Sequence, residues 1–278
     1  MKKLAAFALI MLGVGVLCAF FVFGKNDLTK FKGDPYLLEK TVDASSLKSI
    51  YAKTDTFSVN FVRGTSDDIQ LRLEGNASAQ YKDKIVLKAD QKGDTLYIEG
   101  NTKNSFTFGI SIINLKLTIE LPEKVWDTVD INTDTGNITI EQMEAENLKL
   151  KLDTGNLKVS NYSFKEILFD TDTGNVTFTD GVGSIKGETD TGNIRIENDE
   201  LRGDIALESD TGNVTINVDK QPQSAAIHIQ KDVGSSKVEW AGFTDTNDSK
   251  SIIEGKIGNG DIQIAVKSDV GNVKLGSR

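Results

Sequence analysis

The stretch FDTDTGNVTF, Phe169 to Phe178, decides the fold, because its centre recurs. Asp-Thr-Gly-Asn begins at Asp134, Asp153, Asp172, Asp190 and Asp210, a period close to nineteen. Aligned on the aspartate, five positions earlier stand Val129, Leu148, Ile167, Ile185 and Ile205, and three earlier stand Ile131, Leu150, Phe169, Gly187 and Leu207. Four and six positions later come Ile138 and Ile140, Leu157 and Val159, Val176 and Phe178, Ile194 and Ile196, and Val214 and Ile216. Between those last pairs lie Thr139, Lys158, Thr177, Arg195 and Thr215. Apolar-in, polar-out alternation on both sides of a glycine makes each repeat two short strands joined by a turn.

A unit this short cannot bury its own apolar face. Stacked about 4.8 Å apart, the units pack their aligned Ile, Leu, Val and Phe columns on one another. The expected fold is all-β, a parallel β-solenoid; a constant register over five copies favours it over the alternative of antiparallel hairpins. Weaker copies extend the frame. Around Asp232 it holds Ile227 and Ile229, then Val238 and Trp240 after a two-residue slip; around Asp269 it holds Ile264, Val266, Val273 and Leu275. Ile257 to Ile262 reads as a compressed turn. Upstream, Asp55 fits, with Ile50, Val59 and Phe61 in core positions, and the span from Asp55 to Asp134 leaves room for about four coils. Pro122 marks a soft boundary between an N-terminal β-strand region, 45–125, and the DTGN-repeat solenoid, 126–278. Residues 25–44 read as a polar tether.

Asp-Thr-Gly also carries the catalytic carboxylate of aspartic proteases. That chemistry needs two carboxylates facing each other and sharing one proton, whereas five copies in one direction single out no pair. The turn reading accounts for the residues directly. Gly136, Gly155, Gly174, Gly192 and Gly212 supply the positive φ of a sharp corner. Each aspartate is placed to accept amides two residues on, as an Asx turn. Asn137, Asn156, Asn175, Asn193 and Asn213 are placed to form a ladder between coils. The repeated charge is left over: carboxylates about 5 Å apart repel by about 1 kcal/mol per pair in water and about 3 kcal/mol at an effective dielectric of 20. Asp170, Glu188 and Glu208 add a second acid two residues earlier. Solvation of Asp134, Asp153, Asp172, Asp190 and Asp210 relieves the repulsion, and so does a calcium ion bridging adjacent turns.

The 278 residues carry a net charge of −9, and removing Lys2 and Lys3, the only charges before Lys25, takes the remainder to −11. An acidic domain of this size argues against nucleic acid and anionic lipid, and favours cations or neutral glycans. Cys18 is the only cysteine, so the β region has no disulfide. His228, the only histidine, reads as an outward strand residue; one histidine argues against a Ser–His triad or a multi-histidine zinc site. After Met-Lys-Lys, the run Leu4 to Phe23 has no charge and is long enough to cross a bilayer as a helix. Residues 1–24 are thus expected to be a retained transmembrane anchor, with cleavage after Gly24 as the alternative, and the β region on the extracytoplasmic side.

A hydrophobic N-terminus, a strand block closing in LKLTIELPEKVWDTVDI, and repeated TDTGNI-x-I turns resemble the bacterial candidate-adhesin family of β-strand-repeat proteins, a domain of unknown function. The anchor with this ectodomain resembles its LiaG-like, membrane-anchored members from envelope-stress operons. The resemblance covers about residues 45–278 and implies a β-solenoid outside the cytoplasm and no established catalysis; calcium apart, no cofactor is expected. Phe57-Ser58 and the slip after Asp232 depart from the pattern. Three functions compete: a non-enzymatic surface module binding or scaffolding envelope polymers, a carbohydrate-active enzyme on a β-helix, and a module acting on a neighbouring membrane sensor protein. For an enzyme, the irregular stretch Lys231 to Asp261, with Trp240 and Phe243, is the place to look, although such aromatics usually serve as core or cap.

Overall fold

The computed structural model describes residues 11–14, 33–103, 113–247 and 249–278. Among these no helix is long and apolar enough to cross a membrane; most of the 1–24 segment, Cys18 included, lies outside the described residues. The chain is all-β, built as two long sheets facing each other across one continuous core that runs from Ala44 to Leu275.

The central coils follow from the alternation. Long strands Val125–Thr135, Glu144–Thr154, Ser163–Thr173, Val182–Thr191 and Ile205–Thr211 stack in parallel on one sheet. Each runs through an Asp-Thr-Gly-Asn corner into a short strand on the other sheet: Ile138–Glu141, Leu157–Ser160, Val176–Thr179, Ile194–Asn198 and Val214–Val218. Register is held from coil to coil, so that Leu148 lies beside Val129 and Ile167, and Val176 beside Leu157 and Ile194. Parallel stacking, not hairpins, puts identical offsets next to each other, and the four apolar columns are buried apart from Gly187. That gap is filled from the coil below: a Cβ on Gly187 would stand 2.3 Å from the Phe169 ring.

Order in the stack departs from order in the chain at both ends. Strands Ser49–Thr54 and Ser58–Arg63 lie directly against Val125–Thr135 and Ile138–Glu141, with Ile50 beside Val129 and Val59 beside Ile138. The Asp55 coil therefore abuts the Asp134 coil, and the intervening residues lie beyond it. They do not make four coils. One coil is parallel, Thr95–Thr102 and Ile113–Leu121; outside it, Ile85–Lys92 and Ile69–Ala77 run antiparallel. Alternating leucines such as Leu71 and Leu73 suit either direction, because side-chain parity is blind to strand polarity. The tether expected at 25–44 includes another strand, Asp34–Val42, antiparallel on Ile69–Ala77. It is an edge strand with little burial, so it shows no clean alternation.

At the other end, Ile262–Val270 and Val273–Ser277 insert between the Asp210 coil and the Asp232 coil, with Ile264 flanked by Ile205 and Ile227. Residues 257–262, expected as a compressed corner, instead reverse the chain through Gly258 and Gly260, both at positive φ, out of the antiparallel strand Ile252–Ile257. The outermost strands here are Ser236–Val238 and Thr244–Asp245, too short to template a further strand. Trp240 is buried and donates its indole N–H to the Gly276 carbonyl at 2.9 Å, and Phe243 packs against the core. Both aromatics close the stack.

Candidate functional site

The repeated corner is the one feature that the sequence multiplies, and its glycines explain the multiplication. Gly136, Gly155, Gly174, Gly192 and Gly212 have φ between 141° and 155°, a region that L side chains avoid. Space forbids a side chain as well: a Cβ on Gly174 would lie 1.5 Å from the Gly155 carbonyl oxygen, and one on Gly212 would lie 1.7 Å from that of Gly192. Close approach lets each corner amide reach the next coil. Gly155 N–H donates to the Thr173 carbonyl and Leu157 N–H to the Asn175 carbonyl, both at 2.9 Å, and the pattern repeats along the stack.

The remaining amide, that of the asparagine, is served by side chains. Asn156 donates its backbone N–H to Asn137 Oδ1 at 2.9 Å and its Nδ2 to the same oxygen at 3.2 Å. Asn175, Asn193 and Asn213 repeat this, each on the asparagine before it. The ladder runs on through Asn272 to Ser235, which donates both N–H and Oγ–H to Asn272 Oδ1. Asn272 and Ser235 escape a search for DTGN; the Gly-Asn pair at 271–272 is the signal that finds the first. The Asx turns expected at Asp134, Asp153, Asp172, Asp190 and Asp210 are replaced by this arrangement. The corner amides are already taken by the neighbouring coil.

A second column sits one residue before the aspartates, inside the coil: Thr54, Thr133, Thr171, Thr189, Ser209 and Ser268, each no more than 1% exposed, with Leu152 in the same place. Thr54 and Thr133 share a hydrogen bond at 3.1 Å. Thr171, Thr189, Ser209 and Ser268 have no partner among the described residues. Hydroxyl residues read as polar in a hydropathy pattern, although their inward parity matches the apolar positions two and four residues earlier.

The carboxylates themselves form an exposed file. Asp172 lies beside Asp153 and Asp190, coil on coil, and Asp55 lies beside Asp134. No two face each other across a cleft, so nothing supplies the shared proton of a protease dyad. Among the described residues no group of three or more His, Cys, Asp or Glu side chains converges as a metal cage. The Asp55 carboxyl pKa is raised, first by partial burial and then by the Asp134 charge. A raised carboxyl pKa means that the fold disfavours the ionised form, so stability is lost as pH rises through the ordinary value, about 3.9, towards the raised one. Asp55→Asn is therefore expected to melt higher than wild type at pH 7, with the difference shrinking towards pH 3; equal melting at pH 7 would refute the repulsion.

Thr139, Lys158, Thr177, Arg195 and Thr215 form an outward column on the short-strand sheet, continued by Lys274 and Lys237. Arg195 pairs with Glu197 at 3.0 Å, and Lys274 and Lys237 both pair with Glu239. These exposed pairs contribute little to stability. His228 is exposed on the opposite sheet.

Comparison with known proteins agrees with this geometry. A structure from Bacteroides fragilis, described as a candidate adhesin, aligns with 86% of this chain and 97% of its own at 15% identity and a TM-score of 0.51. A candidate cell adhesion protein from Clostridium sporogenes aligns with 88% of this chain and 100% of its own, at 13% identity and a TM-score of 0.35. A candidate lipid-binding protein from Parabacteroides distasonis aligns with 87% and 97%, at 14% identity and a TM-score of 0.28. At 15% identity the Bacteroides fragilis structure speaks to fold, not to function. No protein of curated function matches. The Toastrack DUF4097 family matches over residues 47–182 and 125–276, so the chain belongs to the Toastrack DUF4097 family.

Proposed function

We propose that the protein is a non-enzymatic, membrane-anchored module of the cell envelope, held by residues 1–24 as a single-pass segment and presenting its β-solenoid on the extracytoplasmic side. It binds or scaffolds envelope components there, as an accessory of the LiaG-like envelope-stress class. The observation that carries the non-enzymatic reading is the regularity of the central coils: their side chains repeat on the outward faces, while the irregular C-terminal stretch, 231–261, spends Trp240 and Phe243 on closing the core rather than on walling a cleft. The candidate-adhesin description of the Bacteroides fragilis structure is of the same kind.

The test uses the full chain in its own membrane. A membrane-impermeant amine reagent on intact cells is expected to label the β region, and the immobilised protein is expected to retain an envelope polymer or a membrane protein. Labelling only after lysis would overturn the orientation, and failure to retain either would overturn the binding role.

Calcium has no part in the proposal, because the corner carboxylates form a line and not a cage. The melting temperature is expected to be the same in millimolar calcium and in chelator. Ligand bound only to the native state at free concentration L raises stability by RT ln(1 + L/Kd), so a rise of several degrees would reinstate calcium-bridged turns.

A further inference from the structure

A trench of about 420 Å³ crosses the outer face of the long-stranded sheet, and two alanines create it. Four positions before the corner aspartate, the outward column reads, strand by strand, Lys149, Leu168, Lys186, Ala206, Ala265 and His228. With Ala206 beside Ala265, the column drops to methyl groups across two strands, about 10 Å of the sheet, between Lys186 and His228.

The neighbouring outward column, two residues closer to the corner, reads Lys151, Asp170, Glu188, Glu208 and Lys267 in the same strand order. Lys151 pairs with Asp170 at 3.1 Å, and Lys267 pairs with Glu208. Each outer cation is thus committed to the acid next to it, and Glu188 in the middle has none. Lys186 lies two residues from Glu188 on the same face, about 7 Å along the strand. Both side chains are exposed, and among the described residues neither joins an ion pair or hydrogen bond. The trench therefore presents one cation and one anion, each outside an ion pair among the described residues, above an aliphatic floor. A simple anion or cation would answer only one of them.

We propose that this trench binds a short peptide carrying both an ammonium and a carboxylate. The ammonium sits at Glu188, the acid of this column that no lysine pairs. The carboxylate sits at Lys186, and the aliphatic part lies over the adjoining edge of the floor at Ala206. Charge-assisted contacts at both ends fix the orientation. The inference rests on the reading of the protein as an envelope-binding module and gives that reading a ligand class.

The test is ligand-observed NMR titration of the detergent-solubilised full chain with trialanine, N-acetyl-trialanine and trialanine amide. Saturable binding of trialanine is expected with a Kd on the order of 1 mM, each capped form binding about tenfold more weakly. Glu188→Gln is expected to reproduce the loss seen on acetylation, Lys186→Met the loss seen on amidation, and Ala206→Phe to abolish binding by filling the floor. These positions are on the surface, so the fold is expected to tolerate them. Absence of saturable binding, equal binding of capped and free peptides, or unaltered binding by the variants would each overturn the proposal. If trialanine fails while immobilised wild-type protein still retains an envelope component, this site falls and the surface-module reading stands; the reverse result removes that reading and leaves the trench.

Discussion

Gly174→Ala is expected to destabilise the protein by more than about 4 kcal/mol, enough to unfold much of the stack at room temperature. Two costs add. The backbone at φ 155° is strained for any L residue, at about 1–3 kcal/mol. The new methyl would also lie 1.5 Å from the Gly155 carbonyl oxygen, and relief requires moving one coil away from the next. That movement would break the Gly155 N–H bond to the Thr173 carbonyl and the Asn175 bonds to Asn156. Gly93→Ala is the control: Gly93 also has positive φ, 65°, but nothing lies within 4 Å of a Cβ there, so about 1 kcal/mol is expected. Urea unfolding monitored by circular dichroism measures both. A Gly174→Ala midpoint within error of wild type would refute the claim that coil spacing requires glycine.

Phe178→Ala is expected to cost about 3–5 kcal/mol, by loss of transfer free energy and creation of a cavity. Phe178 is fully buried between the sheets. Its ring meets Phe169 at 5.6 Å and Tyr162, edge on, at 5.8 Å. Tyr162 has little freedom to follow into the void, because its hydroxyl is bonded to Asn198 at 3.1 Å in a site whose burial pushes the phenol pKa up to about 12. Phe178→Leu, which keeps most of the volume, is expected to cost about 1 kcal/mol. A loss below about 1 kcal/mol for the alanine variant would show that the coil collapses onto the gap, and that the aromatic group is less tightly determined than the contacts imply.

Much of this architecture is legible in the residues alone. Ile167, Phe169, Val176 and Phe178 announce their columns, since period-two alternation around a fixed glycine leaves one way to bury them. The asparagine ladder is legible for the same reason, as Asn137 and its counterparts recur at one offset. The aspartate reads wrongly as an acceptor, because the sequence of one coil does not show that the neighbouring coil already occupies its amides. The ends mislead for a different reason. Adjacency along the chain suggests coil neighbours, but Ile50 meets Val129 and Ile205 meets Ile264, pairs far apart in sequence. Hydropathy records which way a side chain faces, not which strand lies next to it. The trench is hidden because Ala206 and Ala265 are ordinary singly and become a gap only when placed side by side.

The insertion of Ile262–Val270 between two earlier coils bears on how the protein comes to be folded. A stack in which every coil followed the last could grow progressively as the chain was made, each new turn settling on the one before. Here the slab that completes the Asp210 coil emerges long after the strand it covers, and only once Ala225–Val233 has passed. Until then Ala225–Val233 has its antiparallel partner Ile252–Ile257 but no native seat on the stack, and if it took the place beside Ile205–Thr211, it would have to be displaced. Maturation at this end is therefore a closing step, set by the arrival of the last coil. Loss of residues 262–277 would remove an interior layer of the stack, not trim its tip.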